Sequence, residues 1–156
     1  MVSRVIPVDG FDLVIFGGTG DLARRKILPG LFRRFCAGQM PEDARIIGAA
    51  RSEMDDAAFR DTVAEAIREF GGAHRADKAQ VDAFLERVGY EHVDAMGETG
   101  WETLKGRLRD GVIRAFYFSV APSLFGALAE RLRSFGLADD DSRVVVEKPF
   151  GKDLET

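Results

Sequence analysis

Cysteine, tryptophan and histidine are scarce in this chain of 156 residues, which has one, one and two of them. A single cysteine, Cys36, excludes an internal disulfide and a multi-cysteine metal site, so we expect no metal. Apolar runs stay far below the roughly 20 residues of a membrane span, and the first residues lack the apolar stretch of a signal peptide. A formal charge of −4 argues against a nucleic-acid-binding face. Together these features predict a cytoplasmic protein without membrane or nucleic-acid partners.

What the chain does contain is an alternation of apolar runs and helical patterns, over a length typical of one domain. This alternation predicts βαβ units and a parallel sheet. The expected strands are residues 11–16, 45–50, 90–94, 113–120 and 143–147. Since crossovers between parallel strands are right-handed, we predict an α/β, Rossmann-type doubly wound sheet with the order 3-2-1-4-5.

The helical patterns carry their own start and stop signals. Pro29 lies inside the first apolar helical face and predicts a kink or break near Lys26. Gly38 is suited to end this helix. Ser52, followed by acidic residues, favours the start of the second helix. A further short helix is expected from four apolar residues at helical spacing, Val81, Phe84, Leu85 and Val88.

A glycine-rich turn follows the first strand and opens the first helix. It reads Gly17-Gly18-Thr19-Gly20-Asp21-Leu22-Ala23. Glycine allows a tight turn and lets the backbone approach a phosphate, and the amides of the following helix N-terminus favour an anion. Strand before and helix after are the context that a dinucleotide site requires. The alternative is a plain strand-to-helix turn.

Arg51 ends the second predicted strand, where dinucleotide-binding folds face the adenosine ribose. An arginine there suits the 2′-phosphate of NADP, whereas an acidic residue suits the 2′-hydroxyl of NAD. We therefore predict NADP as the cofactor. The alternative is a solvated surface arginine.

Four segments, in the right order, resemble the glucose-6-phosphate dehydrogenase family. They are DLVIFGGTGDLARRKILP at 12–29, GAAR at 48–51, FYFSVAP at 116–122 and EKPFG at 147–151. The third segment has Ala121-Pro122 where the family usually has two prolines. The resemblance covers nearly the whole chain.

This resemblance implies oxidation of glucose 6-phosphate to 6-phosphogluconolactone with NADP. By carry-over, residues 17–22 hold the pyrophosphate, Arg51 holds the 2′-phosphate, and Asp94 and Ala95 lie on the adenine-ribose side. Lys148 would contact both nicotinamide and sugar, and Lys26 would lie near the substrate. Both lysines also fit an ordinary surface position.

The catalytic base and the substrate domain are missing from the resemblance. Neither His74 nor His92 lies in a segment like the family's His-Tyr-Leu-Gly-Lys site, so no catalytic residue is assigned. We expect residues 1–156 to be the N-terminal NADP-binding domain of a longer homo-oligomeric enzyme, binding cofactor without turnover as a monomer or weak dimer. Two alternatives are a stand-alone NADP-binding module and an inositol dehydrogenase-like sugar oxidoreductase.

Overall fold

The computed structural model describes residues 10–41, 43–109, 111–138 and 142–146. Its centre is a five-stranded sheet in which every paired strand is parallel and the order is β3-β2-β1-β4-β5. The predicted fold class and strand order are confirmed. The strands are β1 (Phe11–Phe16), β2 (Ala44–Ala50), β3 (Val88–His92), β4 (Ile113–Phe118) and β5 (Arg143–Val146).

Five α-helices connect the described strands. They are α1 (Leu28–Cys36), α2 (Asp56–Phe70), α3 (Lys78–Leu85), α4 (Trp101–Arg107) and α5 (Phe125–Ser134). Short 3₁₀ turns cover Gly72–His74 and Pro122–Leu124. Among the described residues, no helix combines the length and apolarity that crossing a membrane requires.

The alternation of side chains along β1 divides the core into two layers. Leu13 and Ile15 belong to the apolar cluster that also contains residues of α1, α2 and α3. Val14 and Phe16 belong to the opposite cluster, with Trp101 and other residues of α4 and α5. Both faces of the central strand are therefore covered by helices, which is why its sequence is a continuous apolar run.

The expected break in the first helix takes the form of a π-helix at Ala23–Ile27, directly before α1. The Leu28 amide donates to the Ala23 carbonyl, one residue farther back than in an α-helix. Pro29 occupies the first turn of α1, where its missing amide costs little. The helix then ends at Cys36, and Gly38 has a φ of +75°.

Several predicted boundaries are wrong. The third strand begins two residues earlier than expected and ends at His92, because Val88 pairs with Ile46 of β2 instead of extending the preceding helix. The second helix is capped by Asp55, whose side chain accepts from the Ala58 amide, and not by Ser52. The fourth strand ends at Phe118, two residues short of the predicted end at Val120.

Candidate nucleotide-binding site

The topology places the carboxyl ends of β1, β2 and β4 at one edge of the sheet. Pairing continues one residue past β1 and β4: the Gly17 amide donates to the Ala49 carbonyl at 2.8 Å, and the Ser119 amide donates to the Phe16 carbonyl at 2.9 Å. From this point the chain leaves β1 toward one face and β4 toward the other. This is the switch point at which open α/β sheets bind ligands.

The three glycines of the turn, Gly17, Gly18 and Gly20, do different things. Gly17 has a φ of +83°, and a Cβ there would lie 2.2 Å from the Ser119 carbonyl oxygen. A Cβ on Gly18 would lie 3.0 Å from the Gly48 Cα of β2. A Cβ on Gly20 would meet only the Gly17 oxygen, at 3.2 Å, so its outer side is open. Gly17 and Gly18 thus shape the turn, while Gly20 leaves room for an incoming group.

The first turn of the following helix presents backbone amides at the same edge. The first amides of any helix have no partner within it, and they carry the positive end of its dipole. Thr19 is partly exposed, and the exposed Asp21 carboxylate accepts from Arg25 Nε at 2.9 Å. Ala23 is completely buried, so the helix packs directly onto the sheet. The predicted residues 17–22 therefore form one continuous turn.

Ser119, directly after β4, has a side-chain oxygen without a partner. Its Oγ is buried and makes no hydrogen bond with the described residues. A buried hydroxyl of this kind is uncommon and calls for an external partner. Together with the open side of Gly20, it makes the glycine turn compatible with a bound phosphate-containing cofactor.

Arg51 follows β2 immediately and is exposed at the same edge. Among the described residues it has no hydrogen-bond or ion-pair partner. The neighbouring segment is held in place, because the Tyr90 hydroxyl of β3 donates to the Ser52 carbonyl at 2.6 Å. Burial, with a smaller contribution from Glu91, raises the pKa of Tyr90 to about 12. The structure thus leaves Arg51 available for a ligand beside a fixed backbone.

Asp94 and Ala95 begin a loop that follows β3, residues 94–100, which we term the adenosine-side loop after the role predicted for these two residues. The Asp94 amide donates to the Thr99 carbonyl at 3.1 Å, and Asp94 Oδ1 accepts from the Met96 amide at 3.0 Å. Gly100 closes the loop with a φ of +85°. The Asp94 side chain therefore shapes its own loop, and the loop lies at the carboxyl end of β3.

Of the two predicted substrate lysines, only Lys26 lies among the described residues. Lys26 is an exposed residue of the π-helix, one turn beyond the glycine turn. Lys148 and the rest of the EKPFG segment, residues 147–151, lie outside the described residues. His92 is half-buried at the end of β3, and His74 is exposed in a 3₁₀ turn.

A pocket lies at the opposite end of the sheet from the glycine turn, where the strands begin. Its volume is about 460 Å³, and three of its lining side chains are Arg45, Arg87 and Arg109. We term it the arginine pocket. Its charge is offset by Asp43 and Glu86 in the lining and by Asp12 behind it, which binds Arg109. This balance makes it a weaker candidate for an anionic cofactor than the glycine turn.

Sequence reasoning missed Tyr90, Trp101 and Arg131, which bond backbone carbonyls near the site and belong to no motif. It also missed the unpartnered hydroxyl of Ser119, although that residue lies in the 116–122 segment. Tyr90 and Arg131 each bond a backbone carbonyl more than thirty positions away in the chain. Only the fold brings such partners together. The scarcity of tryptophan was the one sequence feature that could have drawn attention to these residues. Trp101 donates its indole N–H to the Asp94 carbonyl at 2.9 Å.

Comparison with known proteins agrees with this geometry. Residues 14–156 match the family model described as "Glucose-6-phosphate dehydrogenase, NAD binding domain". The chain is 44% identical to the glucose-6-phosphate 1-dehydrogenase of Rhizobium meliloti over 99% of its own length and 32% of the relative. It is 43% identical to that of Mycolicibacterium smegmatis, over 95% of this chain and 31% of the relative.

Solved structures give the same result. A glucose-6-phosphate dehydrogenase in complex with its substrate glucose 6-phosphate superimposes with a TM-score of 0.80 at 30% identity, covering 97% of this chain and 32% of that one. The glucose-6-phosphate 1-dehydrogenase of Mycobacterium avium has the same TM-score at 32% identity, covering 90% of this chain and 30% of that one.

The chain spans about a third of the length of these relatives. The comparisons favour neither the stand-alone module nor the inositol dehydrogenase-like enzyme. The glycine turn, the sheet order and the match over residues 14–156 agree on one assignment. The chain belongs to the glucose-6-phosphate dehydrogenase family and corresponds to its nucleotide-binding domain.

Proposed function

We propose that this chain is the NADP-binding domain of a cytoplasmic enzyme that oxidises glucose 6-phosphate to 6-phosphogluconolactone. The observation that carries the proposal is the pairing, at one edge of the sheet, of an open glycine turn with an unpartnered arginine at the end of β2. Two relatives bear the name of this enzyme, and one solved relative holds glucose 6-phosphate. In this proposal residues 1–156 bind the cofactor, and the remaining length of the enzyme supplies the substrate domain and the contacts of a homo-oligomer.

The pyrophosphate binds at the glycine turn. Gly20 has no side chain to obstruct a phosphate, and the amides of the first helical turn supply donors for its oxygens. Gly17 fixes the turn by its left-handed backbone, so these donors are in place before the cofactor arrives. Such preorganisation lowers the free-energy cost of binding.

The adenosine half extends from the turn toward Arg51 and the adenosine-side loop. The planar guanidinium of Arg51 binds the 2′-phosphate of NADP through paired hydrogen bonds. NAD has a hydroxyl at this position and gains little from an arginine. Asp94 and Ala95 flank the adenine ribose from β3. The selectivity for NADP over NAD therefore depends mainly on Arg51.

The bound nicotinamide supplies the chemistry by accepting a hydride. The residues of this chain bind and orient the cofactor, with Lys148 beside the nicotinamide and the sugar and Lys26 near the sugar. Removal of a hydride from a sugar hydroxyl carbon also needs a base for the hydroxyl proton. Neither His74 nor His92 lies in a segment like the family's His-Tyr-Leu-Gly-Lys site, so we expect this chain alone to bind cofactor without turnover.

Selective loss of NADP binding tests the proposal. Isothermal titration compares NADP with NAD for the wild type, Arg51→Ala and Arg68→Ala, where Arg68 is an exposed α2 arginine whose side chain lies 3.7 Å from Glu65. We expect Arg51→Ala to weaken NADP by about tenfold or more, with little change for NAD, because a charge-assisted contact is lost. Arg68→Ala should leave both unchanged. An equal loss of NADP and NAD in Arg51→Ala contradicts the assigned role.

A further inference from the structure

Arg131 of α5 reaches across to the adenosine-side loop, although it lies more than thirty residues away in sequence. Its Nε donates to the Gly97 carbonyl at 2.7 Å, and its Nη2 donates to the Met96 carbonyl at 3.0 Å. A planar guanidinium with two donors on successive carbonyls fixes both the position and the orientation of a peptide segment. No sequence motif assigns a role to this residue.

The loop has further restraints at its base. The Trp101 indole and the Gly97 amide both donate to the Asp94 carbonyl, at 2.9 and 3.2 Å. Trp101 is completely buried and stacks on Phe135, with ring centroids 6.0 Å apart. The indole bond fixes where the loop begins, and the Gly97 amide bond ties the middle of the loop back to that point. Arg131 holds the same middle from α5, through the carbonyls of Met96 and Gly97.

The middle of the loop has no buried side chain of its own to anchor it. The Met96 residue is 64% exposed, the highest value among the large apolar residues that the structure describes as exposed. Gly97 has no side chain to anchor it, and a Cβ there would lie 2.9 Å from Asp94 Oδ2. Without the guanidinium, the peptide that follows Ala95 would depend on the Asp94 turn alone.

We propose that Arg131 is a positioning residue for the adenosine half of the cofactor, acting through the adenosine-side loop. The inference rests on the proposed function, since it assumes that Asp94 and Ala95 face the adenosine. By holding the carbonyls of Met96 and Gly97, Arg131 keeps the loop in one conformation. In that conformation Asp94 and Ala95 are placed to contact the adenosine. A loop that is ordered before binding does not lose conformational entropy on binding.

The matched control lies on the same helix. The Arg133 side chain is 75% exposed, and among the described residues it pairs only with Glu130, at 3.8 Å, so its removal changes the charge of α5 but not the loop. Arg131→Met retains most of the apolar stem and removes both donors. Arg131→Lys retains the charge but lacks the paired donors of a planar guanidinium, so it can hydrogen-bond one carbonyl at a time.

The test is a titration of this chain with adenosine 2′,5′-bisphosphate and with NADP, followed by the emission of Trp101, the only tryptophan. For Arg131→Met we expect Kd to rise by about tenfold for both ligands, by the same factor, because the loss lies entirely in the adenosine half. Arg131→Lys should recover part of the affinity, and Arg133→Met should match the wild type. The urea unfolding midpoints of Arg131→Met and Arg133→Met should agree.

Two results overturn the inference while leaving the proposed function intact. One is wild-type affinity in Arg131→Met. The other is a loss of affinity that follows a lowered unfolding midpoint and is not recovered by lysine, which marks a purely structural residue. A wild-type chain that binds neither ligand overturns the proposed function, and the inference with it.

Discussion

Asp12, near the start of β1, forms an ion pair with Arg109, with Asp12 Oδ1 2.7 Å from Arg109 Nη2. The Asp12 side chain is completely buried, and its other oxygen accepts from the Arg109 amide at 2.7 Å. Arg109 also bonds the Asp43 carboxylate and the Phe11 carbonyl. The segment before β4 is therefore tied to the beginnings of β1 and β2, at the end of the sheet away from the glycine turn.

Removing Arg109 should leave the buried Asp12 carboxylate with only a longer ion pair, to Arg45 Nε at 3.7 Å. We expect Arg109→Met to lower the free energy of unfolding by at most about 3–5 kcal/mol, measured by urea denaturation. The double variant Asp12→Leu/Arg109→Met should recover much of this loss, because no charge then remains buried. If the loss in the double variant equals the sum of the losses in Asp12→Leu and Arg109→Met, the two side chains are not coupled.

The glycines of the turn should separate stability from binding. Gly17→Ala forces a left-handed backbone on alanine and places a Cβ 2.2 Å from the Ser119 oxygen, so we expect a stability loss of more than about 2 kcal/mol. Gly20→Ala should change stability by less than about 1 kcal/mol and still weaken NADP by about tenfold, because its Cβ fills the phosphate approach. Urea denaturation and calorimetric titration measure the two effects. Undiminished affinity in Gly20→Ala would place the pyrophosphate elsewhere.

Tyr90 should make stability depend on alkaline pH. Its pKa is raised from 10.0 to about 12, mainly by burial, so the folded state holds the phenol proton more tightly than the unfolded state. The resulting stabilisation is fully present below pH 10 and is lost as the pH rises toward 12. Spectrophotometric titration of the two tyrosines should show one late transition that Tyr90→Phe removes. Persistence of that transition in Tyr90→Phe would assign it to Tyr117.

The cap of α2 offers a test of a boundary that the sequence misplaced. Asp55→Ala should lower the free energy of unfolding by about 1 kcal/mol, because the Ala58 amide loses its acceptor. Ser52→Ala, at the position expected from sequence, should change it by only a few tenths. Urea denaturation of the two variants decides, and a larger effect at Ser52 would reverse the assignment.

Sequence pattern predicted those parts of the fold in which local preference and tertiary packing agree. The first strand is an apolar run stopped by two glycines, and its predicted bounds match the structure. Pro29 correctly predicted an irregular first helix, because its effect on the preceding turn is local. At Val88 the helical spacing of Phe84 and Leu85 suggested one more helical residue, while pairing with Ile46 places it in a strand.

In the candidate site, too, local sequence pattern predicted some residues and tertiary contacts determine the others. The positions of the glycine turn and of Arg51 were predictable because both adjoin strand ends, which the topology brings to one edge of the sheet; their role in binding stays a prediction. The residues that hold the site in place were not, since Arg131 bonds Gly97 and Tyr90 bonds Ser52 across 34 and 38 positions. A side chain that donates a hydrogen bond to a carbonyl far away in the chain produces no periodicity or motif in the sequence.

The proposed cofactor site is tested most directly by locating bound NADP on the isotopically labelled chain, by amide chemical-shift mapping. We expect the largest shifts on residues 17–23, on Arg51 and on residues 94–97, at the carboxyl ends of β1, β2 and β3. Residues around the arginine pocket, such as Arg45 and Arg87, serve as the internal control because they lie at the opposite end of the sheet. Shifts confined to the arginine pocket, or none at the glycine turn, would show that NADP does not bind at the glycine turn.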